Sequence, residues 1–298
     1  MKHRKKTITK VKRNSMQKRE ERKAWLFLLP SFIGISVFVL IPFGDVVRRS
    51  FYQAMGKTFV GLDNFKNLFS NEAFQLAAYN TGRFLLTCIP LLLLVSLFLS
   101  ALIFEQKKLG NIFKMSFLIP LAIPVASVVL LWKIFLNNNG LLNKLVSMFG
   151  GTTVDWMNTS NAFYILVFSY LWKNIGYDMV LWLSGLDGIS SSLYEAASID
   201  GAGAWKKFKY ITLPGLVPTL FVVFVLSLIN SFKVFREAYL IAGKYPDKSI
   251  YMLQHLFNNW FIDLDLQKIC AAAVVVAGVM LCFILILLRA TRRREIEG

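Results

Sequence analysis

Ala24-Trp-Leu-Phe-Leu-Leu-Pro-Ser-Phe-Ile-Gly-Ile-Ser-Val-Phe-Val-Leu-Ile-Pro-Phe43 is a run of 20 residues without one charged side chain. At about 1.5 Å of helical rise per residue it reaches about 30 Å, the thickness of a bilayer's hydrocarbon core. A helix that is apolar all round belongs in lipid or deep inside a large protein. Residues 1–23, just before it, are basic and polar, hold 11 of the chain's 34 Lys and Arg, and show no apolar periodicity. They are expected to form a mobile cytoplasmic tail. A cleaved signal peptide is the rival reading of a basic stretch followed by an apolar one. The apolar run is longer than the usual h-region and no small-residue cleavage site follows, which favours a retained first span.

Five more runs of this kind follow, at residues 83–104, about 113–136, about 162–184, about 215–235 and 269–288. The composition agrees: 56% of residues are hydrophobic, 17% are charged and the mean hydropathy is +0.53. Pro90, Pro120, Pro124 and Pro218 lie within or at the ends of spans. A membrane bundle tolerates this, because neighbouring helices and polar side chains re-satisfy the freed carbonyls. The fold class predicted is an all-α integral membrane protein of six spans, with a membrane domain over 24–289 and a basic C-terminal tail over 290–298.

The net charge of +17 invites a nucleic-acid reading. Its placement argues otherwise, since the basic residues concentrate in the two flanks of the membrane domain and no aromatic residue is interleaved with them before Trp25. No nucleic-acid partner is expected; membrane lipid is. With both termini inside, the inner segments hold 21 basic residues and the outer ones 9, with Arg236 counted among the outer. That orientation obeys the positive-inside rule, although without the N-terminal tail the counts fall to 10 and 9. Cys88, Cys270 and Cys282 sit in apolar runs without metal-ligand spacing and read as small buried residues.

The most informative loop lies between the fourth and fifth spans, on the predicted cytoplasmic side. It runs Ser190-Ser-Ser-Leu-Tyr-Glu195-Ala-Ala-Ser-Ile-Asp200-Gly-Ala-Gly-Ala-Trp205-Lys-Lys-Phe-Lys-Tyr210-Ile-Thr-Leu-Pro214. Ser192 followed by Glu195 has capping-box spacing. Ala196 and Ala197 favour helix and leave little side chain on its surface. Gly201 and Gly203 permit a sharp turn after Asp200, and Trp205, Phe208 and Ile211 form a helix-like apolar stripe. The loop thus reads as a short helix, a break and a second helix feeding a span that Pro214 introduces.

Glu195-Ala-Ala, Asp200-Gly-Ala and Ile211-x-Leu-Pro214 resemble the EAA loop of binding-protein-dependent ABC importer permeases, whose transmembrane domain is MetI-like. The likeness runs from about residue 25 to 288. Trp25-Leu-x-Leu-Leu-Pro30, Phe59-Val-Gly-Leu-Asp-Asn-Phe65 and Trp172-Lys-Asn-x-Gly-Tyr177 resemble the carbohydrate branch, of maltose and glycerol-phosphate type. The resemblance implies a coupling helix seated in a groove of a separate ATPase, with Glu195, Ala196, Ala197, Asp200 and Gly201 as its coupling residues. It also implies a second permease subunit, an ATPase dimer, an extracytoplasmic solute-binding protein, and a place in the bacterial cell membrane. Leu240-Ile-Ala-Gly-Lys-Tyr-Pro246 departs from the branch's usual Gly-Gly-Pro turn, so the substrate does not carry over.

Polar side chains inside spans usually face a bundle interior or a wet cavity. Lys173, Asn174 and Asp178 occupy the fourth span, and Ser227, Asn230 and Ser231 the fifth. Aromatic rings beside amides and hydroxyls suit a sugar's flat faces and hydroxyl groups. By resemblance, Tyr177 and Ser227, then Asn174 and Ser231, are candidates for the substrate path; helix–helix hydrogen bonding uses the same residue types. Gly56-Lys57-Thr58 ends like a phosphate-binding loop, but Phe51 stands where its first glycine is required. No cofactor is therefore expected on this chain, with ATP and Mg²⁺ on the partner ATPase, and no catalytic or metal motif marks an enzyme. The alternatives are a secondary transporter or channel driven by an ion gradient, and an ABC permease for a non-sugar solute.

Overall fold

The computed structural model describes residues 15–53, 58–104 and 110–297; the side chains of 15–22, 111, 233, 235, 241–242 and 290–297 fall outside that description. Most of residues 1–23, Gly56-Lys57 and the end of the C-terminal tail therefore lie outside what can be compared. Where it is described, the tail already differs from expectation, because the first helix starts at Ser15.

The described chain is helical, and its one β-feature is an isolated bridge between Tyr52 and Phe59. Helices α1 (Ser15–Ile35) and α2 (Ile41–Ser50) are joined by a π-helical segment, Ser36–Leu40. A short α3 (Asp63–Phe69) leads into α4 (Glu72–Phe104), which starts well before the predicted span and accommodates Pro90. The predicted third span is two helices, α5 (Gly110–Ala122) and α6 (Val125–Leu136). The break falls at Ile123, because the residue before a proline is pushed out of helical geometry. A short α7 (Leu141–Met148) follows, then the 26-residue α8 (Ala162–Asp187). The interhelical loop holds α9 (Ser191–Ile199), α10 (Ala204–Lys207), a π-helical turn over Phe208–Thr212, and α11 (Leu213–Gly215). The fifth run divides into α12 (Val217–Ser231), a 3₁₀ turn and α13 (Phe235–Ala242), with α14 (Leu253–Ile262) and α15 (Leu266–Glu297) completing the chain.

Among the described residues, five helical segments are long and apolar enough to cross a membrane: Lys23–Ser50, Glu72–Phe104, Val125–Met148, Val217–Leu240 and Leu266–Arg289. Helix α8 is not one of the five, and its surroundings supply the reason. It packs against α4, α5 and α12 and buries 13 of its residues, so its polar groups need not meet lipid. Two glycines permit the close packing. A Cβ on Gly176 would lie 1.9 Å from the Phe117 carbonyl oxygen, and one on Gly185 would lie 2.3 Å from Thr219 Oγ1. Hydrogen bonds complete the attachment: Trp182 Nε1 donates to Ser96 Oγ at 3.0 Å, and Ser100 Oγ to the Met179 carbonyl at 3.1 Å.

The first span behaves in the opposite way. None of its most apolar window is buried within the chain, and it meets the rest of the molecule through α2 and α15. Cys282, predicted buried, is exposed on α15 among side chains that face away from the bundle. Cys88 and Cys270 are buried as expected.

Candidate functional site

Two places combine functional chemistry with a defined geometry. The first is the loop between α8 and α12. Helix α9 has Ser190 as its extended N-cap without a side-chain capping bond, and Ser190 Oγ instead pairs with Ser192 Oγ at 2.7 Å. The capping box expected of Ser192 and Glu195 is therefore not formed. The helix begins before Ser192, which moves Glu195 to its middle, exposed and without a partner among the described residues.

The end of α9 is self-contained. Ala202 N–H donates to the Ala197 carbonyl at 2.8 Å and Gly201 N–H to the Ser198 carbonyl at 3.1 Å, with Gly201 at φ +74°. This is the Schellman arrangement, which needs a residue in left-handed geometry and is least strained with glycine. Lys207 Nζ donates to Ser198 Oγ at 2.7 Å, and the Tyr194 and Thr212 hydroxyls pair at 2.9 Å. These bonds fix α9 to the segment that leads into α12. Around this frame Ile199, Trp205 and Tyr210 are 87%, 73% and 68% exposed, with Trp205 stacked on Phe208. Ala196, Asp200 and Gly201 share the exposed surface and Ala197 is half-buried.

The second place lies where α8 meets α12 and α13. A cavity of about 200 Å³ is lined by Tyr170, Lys173, Asn174, Asn230, Arg236 and Glu237, with apolar neighbours. Lys173 Nζ meets Glu237 Oε1 at 2.8 Å, and both side chains are largely buried. The other carboxylate oxygen, Glu237 Oε2, is buried and makes no hydrogen bond among the described residues. Asn174 is buried and its Nδ2 donates to the Tyr170 carbonyl at 2.8 Å.

Of the four predicted path residues, this cavity contains Asn174 alone. Ser227 is fully buried between helices, its hydroxyl 2.7 Å from both Asp178 Oδ2 and the Val223 carbonyl, while Tyr170 Oη donates to the Ser227 carbonyl at 2.8 Å. Ser231 donates within its own helix to the Leu228 carbonyl at 2.6 Å. Tyr177 is half-buried on α8 and is not part of the cavity wall. Sequence reasoning missed Glu237 and placed Arg236 in an outer loop. The available signal was Lys173, because a cation inside a span requires a counter-charge.

A larger cavity of about 350 Å³ lies among α4, α12 and α15. Its walls are almost wholly apolar, including Leu86, Ile89, Phe224 and Val279. It would strip water from a polyhydroxylated solute without offering hydrogen bonds in return.

Apolar spans, a projecting helical loop whose acid has no partner among the described residues, and a polar cavity between helices are the features of a membrane permease. The family described as binding-protein-dependent transport system inner membrane component matches residues 93–294. The chain belongs to this family of membrane transport components, which are not enzymes. It is 29% identical to the trehalose/maltose transport system permease protein MalF of Thermococcus litoralis, over 95% of this chain and 98% of that one. It is 31% identical to the sn-glycerol-3-phosphate transport system permease protein UgpA of Escherichia coli, over 92% of this chain and 94% of that one. A crystal structure of a bacterial ABC transporter that imports the acidic polysaccharide alginate includes a chain of the same fold. The TM-score is 0.79 at 25% identity, covering 94% of this chain and 99% of that one.

Proposed function

We propose that this chain is one of two permease subunits of an ATP-driven saccharide importer, with six spans and both termini in the cytoplasm. The observation that carries the coupling role is Glu195: a carboxylate in the middle of a short, projecting helix, without a partner among the described residues. In this reading α9 occupies a groove of an ATPase pair, with Glu195 on a basic residue there and Trp205 and Ile199 at the rim. ATP and Mg²⁺ reside on that pair. An extracytoplasmic binding protein delivers the solute, as the family's description and the relatives' naming as sugar transport permeases support. The sixth span is α8, surrounded by its neighbours rather than by lipid.

Closure of the ATPase pair displaces α9. The Tyr194–Thr212 and Ser198–Lys207 bonds carry that displacement to the start of α12. Helices α12 and α8 hold the polar cavity, so the motion reaches its walls. A solute is released inward only if its affinity differs between the two states. Asn174 is the path residue on the cavity wall; Tyr177, Ser227 and Ser231 lie on the same two helices and join the path in a second conformation.

The test is co-purification of the solubilised permease with its ATPase, followed by uptake in vesicles. Glu195→Lys is expected to abolish uptake and saccharide-stimulated ATP hydrolysis, and intact coupling in that variant would remove the proposal. Tyr177→Ala and Ser227→Ala together at wild-type affinity and rate would remove those two residues from the path.

A further inference from the structure

Asp178 lines neither cavity and pairs with no cation among the described residues. It is 1% exposed, on the face of α8 that meets α12. Helix α12 carries no charged side chain, and those of α4 are Glu72 and Arg83, with Arg83 over the ring of Phe163 at 3.9 Å. Helix α5 contributes Lys114, which makes no ion pair with Asp178. On α8 itself Lys173 is held by Glu237, and the other charged residue is the acid Asp187. The polar contact of Asp178 is Ser227 Oγ, 2.7 Å from Oδ2, while Oδ1 is buried without a hydrogen-bond partner among the described residues. Ser227 Oγ also stands 2.7 Å from the Val223 carbonyl. Both separations are those of a full O–H···O bond, yet a serine hydroxyl has one hydrogen to give. With Asp178 ionised, one of the two contacts would bring two oxygens together with no hydrogen between them.

We infer that Asp178 is a proton-binding site inside the bundle: its carboxyl is uncharged, carries the proton on Oδ2 and donates it to Ser227 Oγ, which closes α8 on α12. Ser227 then gives its own hydrogen to the Val223 carbonyl one turn back, a bond that serine readily makes within a helix. Each contact now has its hydrogen. The remaining oxygen, Oδ1, is a neutral carbonyl, which costs less to leave unmet than the oxygen of a carboxylate. A buried acid without a counter-charge neutralises rather than stay ionised in apolar surroundings. The same joint carries a second bond, from Tyr170 Oη to the Ser227 carbonyl at 2.8 Å. Asp178 is thus a positioning residue. It joins the helix that the loop over 190–214 feeds to the helix that walls the polar cavity, and the proton lets a carboxyl serve there as a donor. The inference goes beyond the importer reading and does not depend on which solute is carried.

The experiment records infrared spectra of the complete transporter in lipid at neutral pH, for the wild type, Asp178→Asn and Ser227→Ala. The difference between wild type and Asp178→Asn is expected to show the C=O stretch of a carboxylic acid. Ser227→Ala is expected to move that band to higher frequency, because the acid's O–H loses its acceptor. Carboxylate bands in place of the acid band overturn the inference, and so does an acid band that Ser227→Ala leaves unmoved. If Asp178→Asn fails to assemble, the difference between wild type and Ser227→Ala reads the same carboxyl. Transport supplies the second readout. The amide of Asp178→Asn is neutral and donates from Nδ2 as the acid does from Oδ2, so ATP-driven uptake is expected to continue at the wild-type rate. Loss of uptake in an assembled Asp178→Asn transporter means that the negative charge is required; it overturns the inference and leaves the importer standing. Uptake that needs no ATP and stops in Asp178→Asn would make Asp178 an ion-coupling carboxylate, and would overturn the importer reading as well.

Discussion

The loop over 190–214 and the cavity beside α8 both connect to α12, yet they solve opposite problems. In the loop, backbone groups close on themselves through the Schellman turn, while Glu195, Ile199, Trp205 and Tyr210 are exposed on its surface. Ile199, Trp205 and Tyr210 are more than two-thirds exposed on a short helical frame that has almost no interior. At the cavity the arrangement is reversed. Its central charges, Lys173 and Glu237, neutralise each other and are shielded from solvent. A surface proposed to receive another protein keeps its shape by backbone bonds and a few side-chain bonds and leaves its recognition side chains exposed. A charge buried inside a membrane segment, as Lys173 is, is paired within the chain, because lipid offers it nothing. The contrast therefore predicts where a change of charge damages function and where it damages the fold.

The largest functional effect belongs to the loop. Like charges facing each other across an interface cost several kcal/mol, so Glu195→Lys is expected to reduce ATP-coupled uptake about a hundredfold or more. Its melting temperature in detergent should match the wild type, since Glu195 has no partner among the described residues to lose. A lowered melting temperature would break the comparison. At the cavity the expectation reverses. Lys173→Met strands the Glu237 carboxylate, and breaking a buried pair in this way costs about 3–5 kcal/mol. The measurement is the thermal or denaturant midpoint of the purified permease. The exchanged pair, Lys173→Glu with Glu237→Lys, should recover most of the loss. If Lys173→Met leaves the midpoint unchanged, the pair is not a structural element and the contrast with the loop disappears.

The same contrast explains how much could be read from the sequence. The loop was legible because its determinants are local: Glu195 lies in a short helix that Asp200-Gly201 ends, and a second helical stretch runs on past Pro214 towards α12. Only its first turn was misplaced, since Ser190, Ser191 and Ser192 compete for the cap and spacing alone selects the one with a glutamate three residues later. The cavity was legible only in half. Lys173 stood out as a cation inside a span, but its partner is 64 residues away, beyond a helix break in a segment that looked like an outer loop. Hydropathy located α15 well, because much of it faces away from the bundle, but it began the second span 11 residues after the start of α4. The fourth run, read at about 162–184, matches α8 (Ala162–Asp187), although that helix is shielded by protein and carries polar residues that a lipid-facing helix would exclude. The split of the third span at Pro124 was present in the sequence as a proline pair, but a tolerated proline and a breaking one look alike until the packing is known.

A smaller effect is expected at the hinge of the loop. Gly201 holds φ +74° with open space around its missing Cβ, so strain rather than collision sets the price of a side chain there. Gly201→Ala should cost about 1–2 kcal/mol, the left-handed penalty of an L-residue. That loss should appear as weaker ATPase co-purification with the cavity untouched. Gly176→Ala provides the counterpart on the membrane side, where the new methyl collides with the Phe117 carbonyl. Overpacking of this kind costs about 1–3 kcal/mol and should lower the melting temperature of the permease as a whole.

The smallest effect concerns pH and should fall on the cavity's side of the molecule alone. His255, on α14, is fully buried between the rings of Tyr239 and Tyr251, with its Nδ1 accepting the Met252 N–H at 3.3 Å. Burial pushes its pKa from 6.5 down to about 4, so the folded chain keeps it neutral. The unfolded chain binds a proton near pH 6.5 and the folded chain only near pH 4. Stability should therefore fall progressively as pH drops through that window, and this group should contribute no slope above it. Carboxylates titrate in the lower part of the same range, so the informative quantity is the difference between wild type and His255→Gln from pH 7.5 to 4.5. The variant should show the shallower loss. Tyr239 lies on α13 with Glu237, so acid loosening of α14 should also weaken the support of the cavity, while α9, which carries no histidine, should keep its grip on the ATPase. Equal slopes in the two proteins would mean that His255 reaches solvent in the folded state and that the cavity's side is less closed than its burial indicates.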